Sequence, residues 1–361
     1  NDDWRLNDGV KVGFENWLND NIGFRESFVQ IASWVKYDIF HKKSNDKVEV
    51  GRDGWFFYKG DNNLQIAHGT YPLTKEKLEA IRVNQEAVQK RLAKQGIEYV
   101  LVLPTSKVSI YPEMLLSGDY AYRETPVDTV ANYLEQTTDI KVVRLKDALL
   151  DEKERQQVFF KTDTHWNEVG AYTAYRTIIS DMQKWDLVNI DPLEVSFVPD
   201  ERKGGFSAML GNVNLLEAEL YQAIKIDNPC AEQILDTQPE YQRIYEIKKN
   251  EEISYNNYLY KNTLVKLPKV VMYGDSMFGG WHLPELMAET FSEFSYIWAR
   301  NINQEVIDLL KPDIVIYELT ERYLNTLPDF NGIFIGGDVA NLNAEVVDYS
   351  LPEKIIYGEP F

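Results

Sequence analysis

A chain of 361 residues, 44% hydrophobic and 26% charged, is ordinary globular material, long enough for two domains or one large one. Its 20 Gly and 14 Pro exclude collagen-like and linker-like classes, and its single cysteine, Cys230, excludes a disulfide framework, a zinc finger and an iron–sulfur centre. Thirty-eight basic against 57 acidic residues leave a net charge of −19, spread along the chain, which repels phosphate backbones and argues against nucleic acid as a partner.

In chain order, broken helical spacing over 14–40 (Phe14, Trp17, Leu18, Phe28, Ile31, Val35, Ile39) predicts an N-terminal helical arm, assigned to residues 1–50. GRDGWFFY (51–58) reads as a turn entering a short strand. Thr74 is placed to cap a helix reaching Gln95, with Leu78, Ile81, Val88 and Leu92 on one face and Gly96 beyond its end. The apolar run 98–104 is a buried strand. A helix over 127–137 and strands over 140–145 and 158–160 follow, then a helix over 168–185. The stretch 200–265 is polar and tyrosine-rich, and reads as an insertion beside the sheet. The alternation resumes with a strand over 269–273, a helix from about 277, a strand over 295–299, a helix over 303–311 and a strand over 313–319. Such alternation predicts an α/β fold, a mostly parallel sheet with helices on both faces. The main body is assigned to 51–326, with a C-terminal extension over 327–361. No stretch approaches the roughly 20 apolar residues that span a bilayer.

Two segments could carry chemistry. Gly274-Asp275-Ser276 follows a buried strand, at the sheet edge where open α/β proteins build their sites. Ser276 reads either as a helix cap or as a nucleophile whose own N–H and a following helix terminus could stabilise an oxyanion. Asp163-Thr164-His165-Trp166 reads either as a turn Asp beside a packed His, or as a carboxylate that fixes the tautomer of a general base. The other histidines are His41, His68 and His282, and His282 is the rival base. No His pair has metal-ligand spacing, though Asp163 and His165 could belong to a mixed carboxylate site. Ser276, His165 and Asp163 together form a triad-like set.

GRDGWFFY, LVLPTSKVSIYPEML, KTDTHWNEVGAYTAY, VVMYGDSMF and LKPDIVIYELTERYL, in that order, resemble the bacterial alginate O-acetyltransferase family of SGNH-hydrolase-like proteins. ENWLNDNIGFRESFV resembles that family's opening. The resemblance implies an SGNH-hydrolase-like fold in circularly permuted motif order, with Ser276 as nucleophile, His165 as base and Asp163 as its orienting carboxylate. It implies acetyl transfer to sugar hydroxyls of a secreted or cell-surface polysaccharide, with a deacetylating esterase or a silent binding subunit as alternatives. It further implies a membrane-bound O-acyltransferase as acetyl supplier, an extracytoplasmic location, a membrane anchor preceding these residues, and no cofactor or metal.

The G-x-N-D oxyanion motif of ordinary SGNH enzymes is absent. Asn167, Arg300, Tyr317 and Arg322 are candidate oxyanion contributors, and Lys107 and Tyr111 candidate cleft residues. Glu321-Arg322 also reads as a structural ion pair, and Lys107 as a solvated loop lysine. Tyr241, Tyr245, Tyr255, Tyr258 and Tyr260 offer a possible polymer-facing surface. The acidic balance favours a neutral or cationic polymer over a polyuronate, unless Lys107, Arg300 and Arg322 form a basic patch.

Overall fold

The computed structural model describes residues 46–116, 124–210, 216–248, 257–326 and 334–335. From the amino end, β1 (Val48–Val50) and β2 (Phe56–Tyr58) are followed by α1 (Asn63–His68), α2 (Lys75–Ala93) and β3 (Glu98–Leu103). Next come α3 (Lys107–Ile110), α4 (Pro126–Thr137), β4 (Lys141–Arg144), α5 (Lys146–Lys153) and α6 (Glu168–Lys184). A hairpin of β5 (Ser196–Arg202) and β6 (Glu219–Lys225) encloses the single turn α7 (Phe206–Met209). Then follow β7 (Glu232–Gln233), α8 (Pro239–Lys248), β8 (Tyr258–Lys261), β9 (Lys269–Gly274) and α9 (Leu283–Thr290). The last elements are β10 (Glu293–Trp298), β11 (Ile302–Asn303), α10 (Gln304–Leu310), β12 (Ile314–Glu318) and β13 (Phe334–Ile335).

Seven strands form the central sheet in the order β4-β3-β12-β9-β10-β8-β7. The first five run parallel, and β8 and β7 extend the edge antiparallel. The interiors of these parallel strands are mostly apolar because both faces are covered. Val100, Val102, Val270, Met272 and Ile316 pack with α6 and α9 on one side. Tyr99, Leu101, Val271, Tyr273 and Val315 pack with α2, α4 and α10 on the other. Thr74 accepts the Lys77 N–H at the start of α2, as its sequence position predicts.

Most predicted elements lie within two residues of their expected bounds, and the differences bear on the site. The helix expected from about 277 begins at Leu283, after a turn through Gly279 and Gly280 in which Trp281 and His282 adopt φ of 63° and 57°. The 158–160 strand reduces to one bridge, Phe159 to Trp166. The insertion does not merely lie beside the sheet, because β7 and β8 join its edge. Of its tyrosines, Tyr260 is buried on β8, Tyr258 is half-buried and Tyr241, on α8, packs against the core, while Tyr245 is exposed. Tyr255 lies outside the described residues. Of the expected arm, residues 1–45 lie outside the described residues, and Val48–Val50 is a strand paired with β2, so the body begins before residue 51. The extension over 327–361 is described only at β13, which pairs with β11.

Gly170, in the first turn of α6, sets how closely that helix seats against the loop before it. A Cβ there would lie 2.2 Å from the Val158 carbonyl oxygen and 2.8 Å from the Trp166 Cβ. Neither neighbour is a flexible side-chain end, so Gly170→Ala should cost about 2 kcal/mol or more, measured as a lower denaturant midpoint at unchanged m.

Candidate active site

Residues 158–167 form a tight loop between α5 and α6. Phe160 N–H donates to the His165 carbonyl at 3.2 Å, and Asn167 N–H to that of Val158 at 3.0 Å. At its tip, His165 Nδ1 lies 2.6 Å from Asp163 Oδ1, and the His165 backbone N–H donates to the same oxygen at 3.3 Å. Asp163 Oδ2 accepts from the Gly205 N–H at 2.8 Å and from Arg202 at 3.5 Å. An ionised carboxylate only accepts, so the proton sits on Nδ1 and Nε2 presents a lone pair. That Nε2 is 2.9 Å from Ser276 Oγ. Burial opposes the charge on Asp163. The hydrogen bond and charge of His165, the Gly205 N–H and Arg202 outweigh it and hold the carboxyl well below the usual range.

Ser276 stands in the turn after β9, next to β12 in the sheet. Glu318, the last residue of β12, accepts the Asp275 N–H at 2.7 Å and the Thr320 hydroxyl at 2.9 Å. The Tyr296 hydroxyl donates to the Asp275 carbonyl, and the Met277 N–H to Asp275 Oδ1. Gly274 is required here: a Cβ would lie 2.5 Å from Glu318 Oε2. Burial, and then the negative charge of Asp275, push the Glu318 carboxyl well above its ordinary value. Trp281 brings its ring to 5.4 Å from that of His165. The rival base, His282, caps α9 and places Nδ1 3.0 Å from Glu168.

The secondary candidates are redistributed. Asn167 is no oxyanion donor: its side chain caps α6 through the Gly170 N–H and donates to the Gln157 carbonyl. Tyr111 is a packing residue, its ring tilted against that of Trp55 and its hydroxyl accepting the Val158 N–H. Tyr317 is wholly buried and donates to the Arg300 carbonyl, while the exposed Arg300 side chain lies over Tyr323. Arg322 is buried over Tyr323, its Nε 4.0 Å from Asp61. Burial works against its charge, and Asp275, Tyr323 and Asp61 more than offset that. Glu321 turns the other way, accepting from Ser106 N–H and the Ser109 hydroxyl, so the expected Glu321–Arg322 pair does not form. With Lys107 and Arg322 both buried, no basic patch covers the cleft through them. Among the described residues no three His, Cys, Asp or Glu side chains converge as a metal set. Sequence reasoning missed Arg202, Gly205, Glu219, Trp281 and Glu318. The paired glycines 204–205 and 279–280 were the available signals.

With this geometry in view, residues 48–293 match the family model for the SGNH hydrolase-like domain, acetyltransferase AlgX, and the chain belongs to that family. A probable alginate O-acetylase AlgJ of Pseudomonas putida is 27% identical over 160 residues, which are 44% of this chain and 40% of the relative. The chain thus spans well under half of that relative's length. The O-acetyltransferase domain of Pseudomonas putida AlgJ superposes with a TM-score of 0.50 at 18% identity, covering 78% of this chain and 94% of that one. Bacillus cereus PatB1 with a sulfonyl adduct gives 0.57 at 16% identity, covering 81% and 100%. At these identities the solved structures speak for the fold, which is SGNH-hydrolase-like.

Lys107 is not a solvated loop lysine. Its Nζ donates to the carbonyls of Phe160, Lys161 and Asp163 at 2.7–3.0 Å, with the rings of Trp55, Phe57 and Phe206 about it. Three carbonyl partners use the three donors that only the ammonium has. Burial pushes the group down to about 7, against the pull of Asp163 and Glu219. An unfolded lysine, near 10.4, therefore holds more proton than the folded one between about pH 7 and 10, and stability from this group rises with pH across that window. Urea titrations from pH 7 to 9 should show this rise in the parent protein and its absence in Lys107→Met.

Proposed function

We propose that this chain is an O-acetyltransferase acting on sugar hydroxyls of a secreted or cell-surface polysaccharide, through Ser276, His165 and Asp163. The observation that carries the reading is the unbroken relay from Ser276 Oγ through His165 to Asp163, with contacts of 2.9 and 2.6 Å. His165 Nε2 takes the hydroxyl proton as Oγ attacks the acetyl carbonyl, and returns it to the leaving oxygen. A sugar hydroxyl then gives its proton to His165 and attacks the acetyl-Ser276 ester, regenerating the serine. Asp163 holds the imidazole in the Nδ1–H tautomer and balances the imidazolium that forms. The Asp275 and Met277 N–H groups are bound to Glu318 and to Asp275 Oδ1, which leaves the Ser276 N–H to receive the acyl oxygen.

The family match and the AlgJ relatives support acetyl transfer within exopolysaccharide synthesis. The reading adds a membrane-bound O-acyltransferase as acetyl supplier and an extracytoplasmic location, which the resemblance implies. The net charge of −19 and the burial of Lys107 and Arg322 support a neutral or cationic acceptor over a polyuronate. A chromogenic acetyl ester offered with neutral, cationic and anionic oligosaccharides at two ionic strengths tests this. Transfer to neutral chains with little salt dependence is expected. Preference for polyuronates that weakens with salt refutes the acceptor assignment, and acetate release alone makes the protein an esterase.

The assignment of the base has its own test. His165→Ala and Ser276→Ala should each lose on the order of 10³-fold or more in kcat, and His282→Ala should keep most activity. A sulfonyl fluoride should label Ser276 in the parent protein and not in Ser276→Ala. Equal losses at both histidines would mean that the wrong base has been named.

A further inference from the structure

The inserted hairpin grips the loop that carries Asp163 and His165. Arg202 ends β5 and is the register partner of Glu219, which begins β6. Both reach the same loop. Glu219 accepts from the Lys161 N–H at 2.9 Å, the Thr162 N–H at 3.1 Å and the Thr162 hydroxyl at 2.7 Å. Phe206 N–H donates to the Thr162 carbonyl at 3.1 Å. The approach at Gly204 is so close that a Cβ would lie 2.0 Å from that carbonyl oxygen.

Arg202 adds a second kind of contact. Its guanidinium carbon lies 4.8 Å from the ring centre of Phe160 and 4.2 Å from that of Trp281. The Trp281 ring in turn stands against His165. One end of Arg202 therefore reaches Asp163 Oδ2 at 3.5 Å, while its flat face bears on the indole that flanks the imidazole. Its side chain is only 31% exposed, so its charge is screened less than that of a free surface arginine.

We propose that Arg202 is a positioning residue for acyl transfer: it acts through Asp163 and Trp281 to hold the carboxylate in place and the imidazole aimed at Ser276. The inserted hairpin is then part of the catalytic apparatus. This rests on the triad reading above. Arg202 supports negative charge on Asp163 and opposes positive charge on its partner, so removing it makes protonation of the pair easier and the base is lost at higher pH. The other groups facing the pair are Lys107 on the Asp163 carbonyl, Glu219 on the preceding residues, the Thr164 and Ser276 hydroxyls at His165, and the His282–Glu168 pair beyond Trp281. All of them remain when Arg202 is changed.

The test compares the 361-residue parent with Arg202→Gln and Arg202→Lys on a chromogenic acetyl ester. Arg202→Gln should lower kcat about tenfold with KM within about twofold. It should also move the acid limb of kcat/KM up by about half a pH unit. Arg202→Lys keeps the charge without the planar stacking, so the acid limb should return toward its parent position while kcat recovers only in part. An Arg202→Gln protein with kcat within twofold and an unmoved acid limb overturns the proposal. So does a loss that merely follows the folded fraction in a thermal melt, with the acid limb in place. Should Arg202→Gln fail to fold, the Lys variant decides: parent-like kcat leaves the stacking contact without a role. If the parent neither cleaves the ester nor takes the sulfonyl label on Ser276, the triad reading itself fails, and this proposal with it.

Discussion

One carboxylate, Asp163, must stay ionised while almost wholly withdrawn from water, and this edge of the molecule is arranged around that requirement. A buried carboxylate without donors would take up a proton rather than bear the desolvation. Here both oxygens are supplied: Oδ1 by the imidazole and backbone of His165, Oδ2 by Gly205 N–H and Arg202. Those donors come from two separate segments, so the loop and the hairpin must be held in fixed relation. Lys107 does this from the sheet side and Glu219 from the hairpin side, each by gripping backbone groups of residues 160–163.

The Ser276 side of the cleft presents the opposite case. Glu318 and Glu321, at and just beyond the end of β12, are as buried as Asp163, but burial dominates and pushes both carboxyls upward. Among the described residues the donors to Glu318 are the Asp275 N–H and the Thr320 hydroxyl, and the Asp275 charge stands close by. The proton affinities of these three acidic side chains are thus moved in opposite directions by their surroundings, not by their residue type. Glu318 thereby ties the end of β12 to the turn before Ser276.

The parallel sheet was legible because burial on both faces leaves continuous apolar runs that no other element of this length explains. Asp163, His165 and Ser276 were legible because each stands in a short motif directly after a strand or bridge. The supporting residues were not. Arg202 and Glu219 meet the loop over 158–167 across a hairpin whose register no local periodicity announces. Lys107 reads as a surface charge until the carbonyls that surround it are known. Asn167, Tyr111 and Tyr317 have the right chemistry for a site, but their polar atoms are taken by backbone partners, and composition does not say which way a side chain points. The start of α9 was misplaced because the helix was expected directly after Ser276 despite the helix-breaking Gly279-Gly280 pair; Trp281 and His282 sit in the left-handed region and delay it.

That delay also separates His165 from His282, each of which has a carboxylate partner. His165 and His282 both use Nδ1 to meet an acid, Asp163 in one case and Glu168 in the other. The hydrogen bond to Glu168, with help from Glu285, raises the affinity of His282 for its proton. Glu168 in addition receives the Ile224 N–H, so it joins the start of α6 to β6 and to the cap of α9. A His–carboxylate pair is therefore not by itself a catalytic signature in this fold. What distinguishes His165 is that its free nitrogen meets a serine held in a rigid turn, while its carboxylate is fixed by donors from a second segment. The four residues of the Gly-Gly-Trp-His turn put Trp281 against His165 and send His282 to the junction of α6, β6 and α9, so one local irregularity shapes both the wall of the site and the joint beside it.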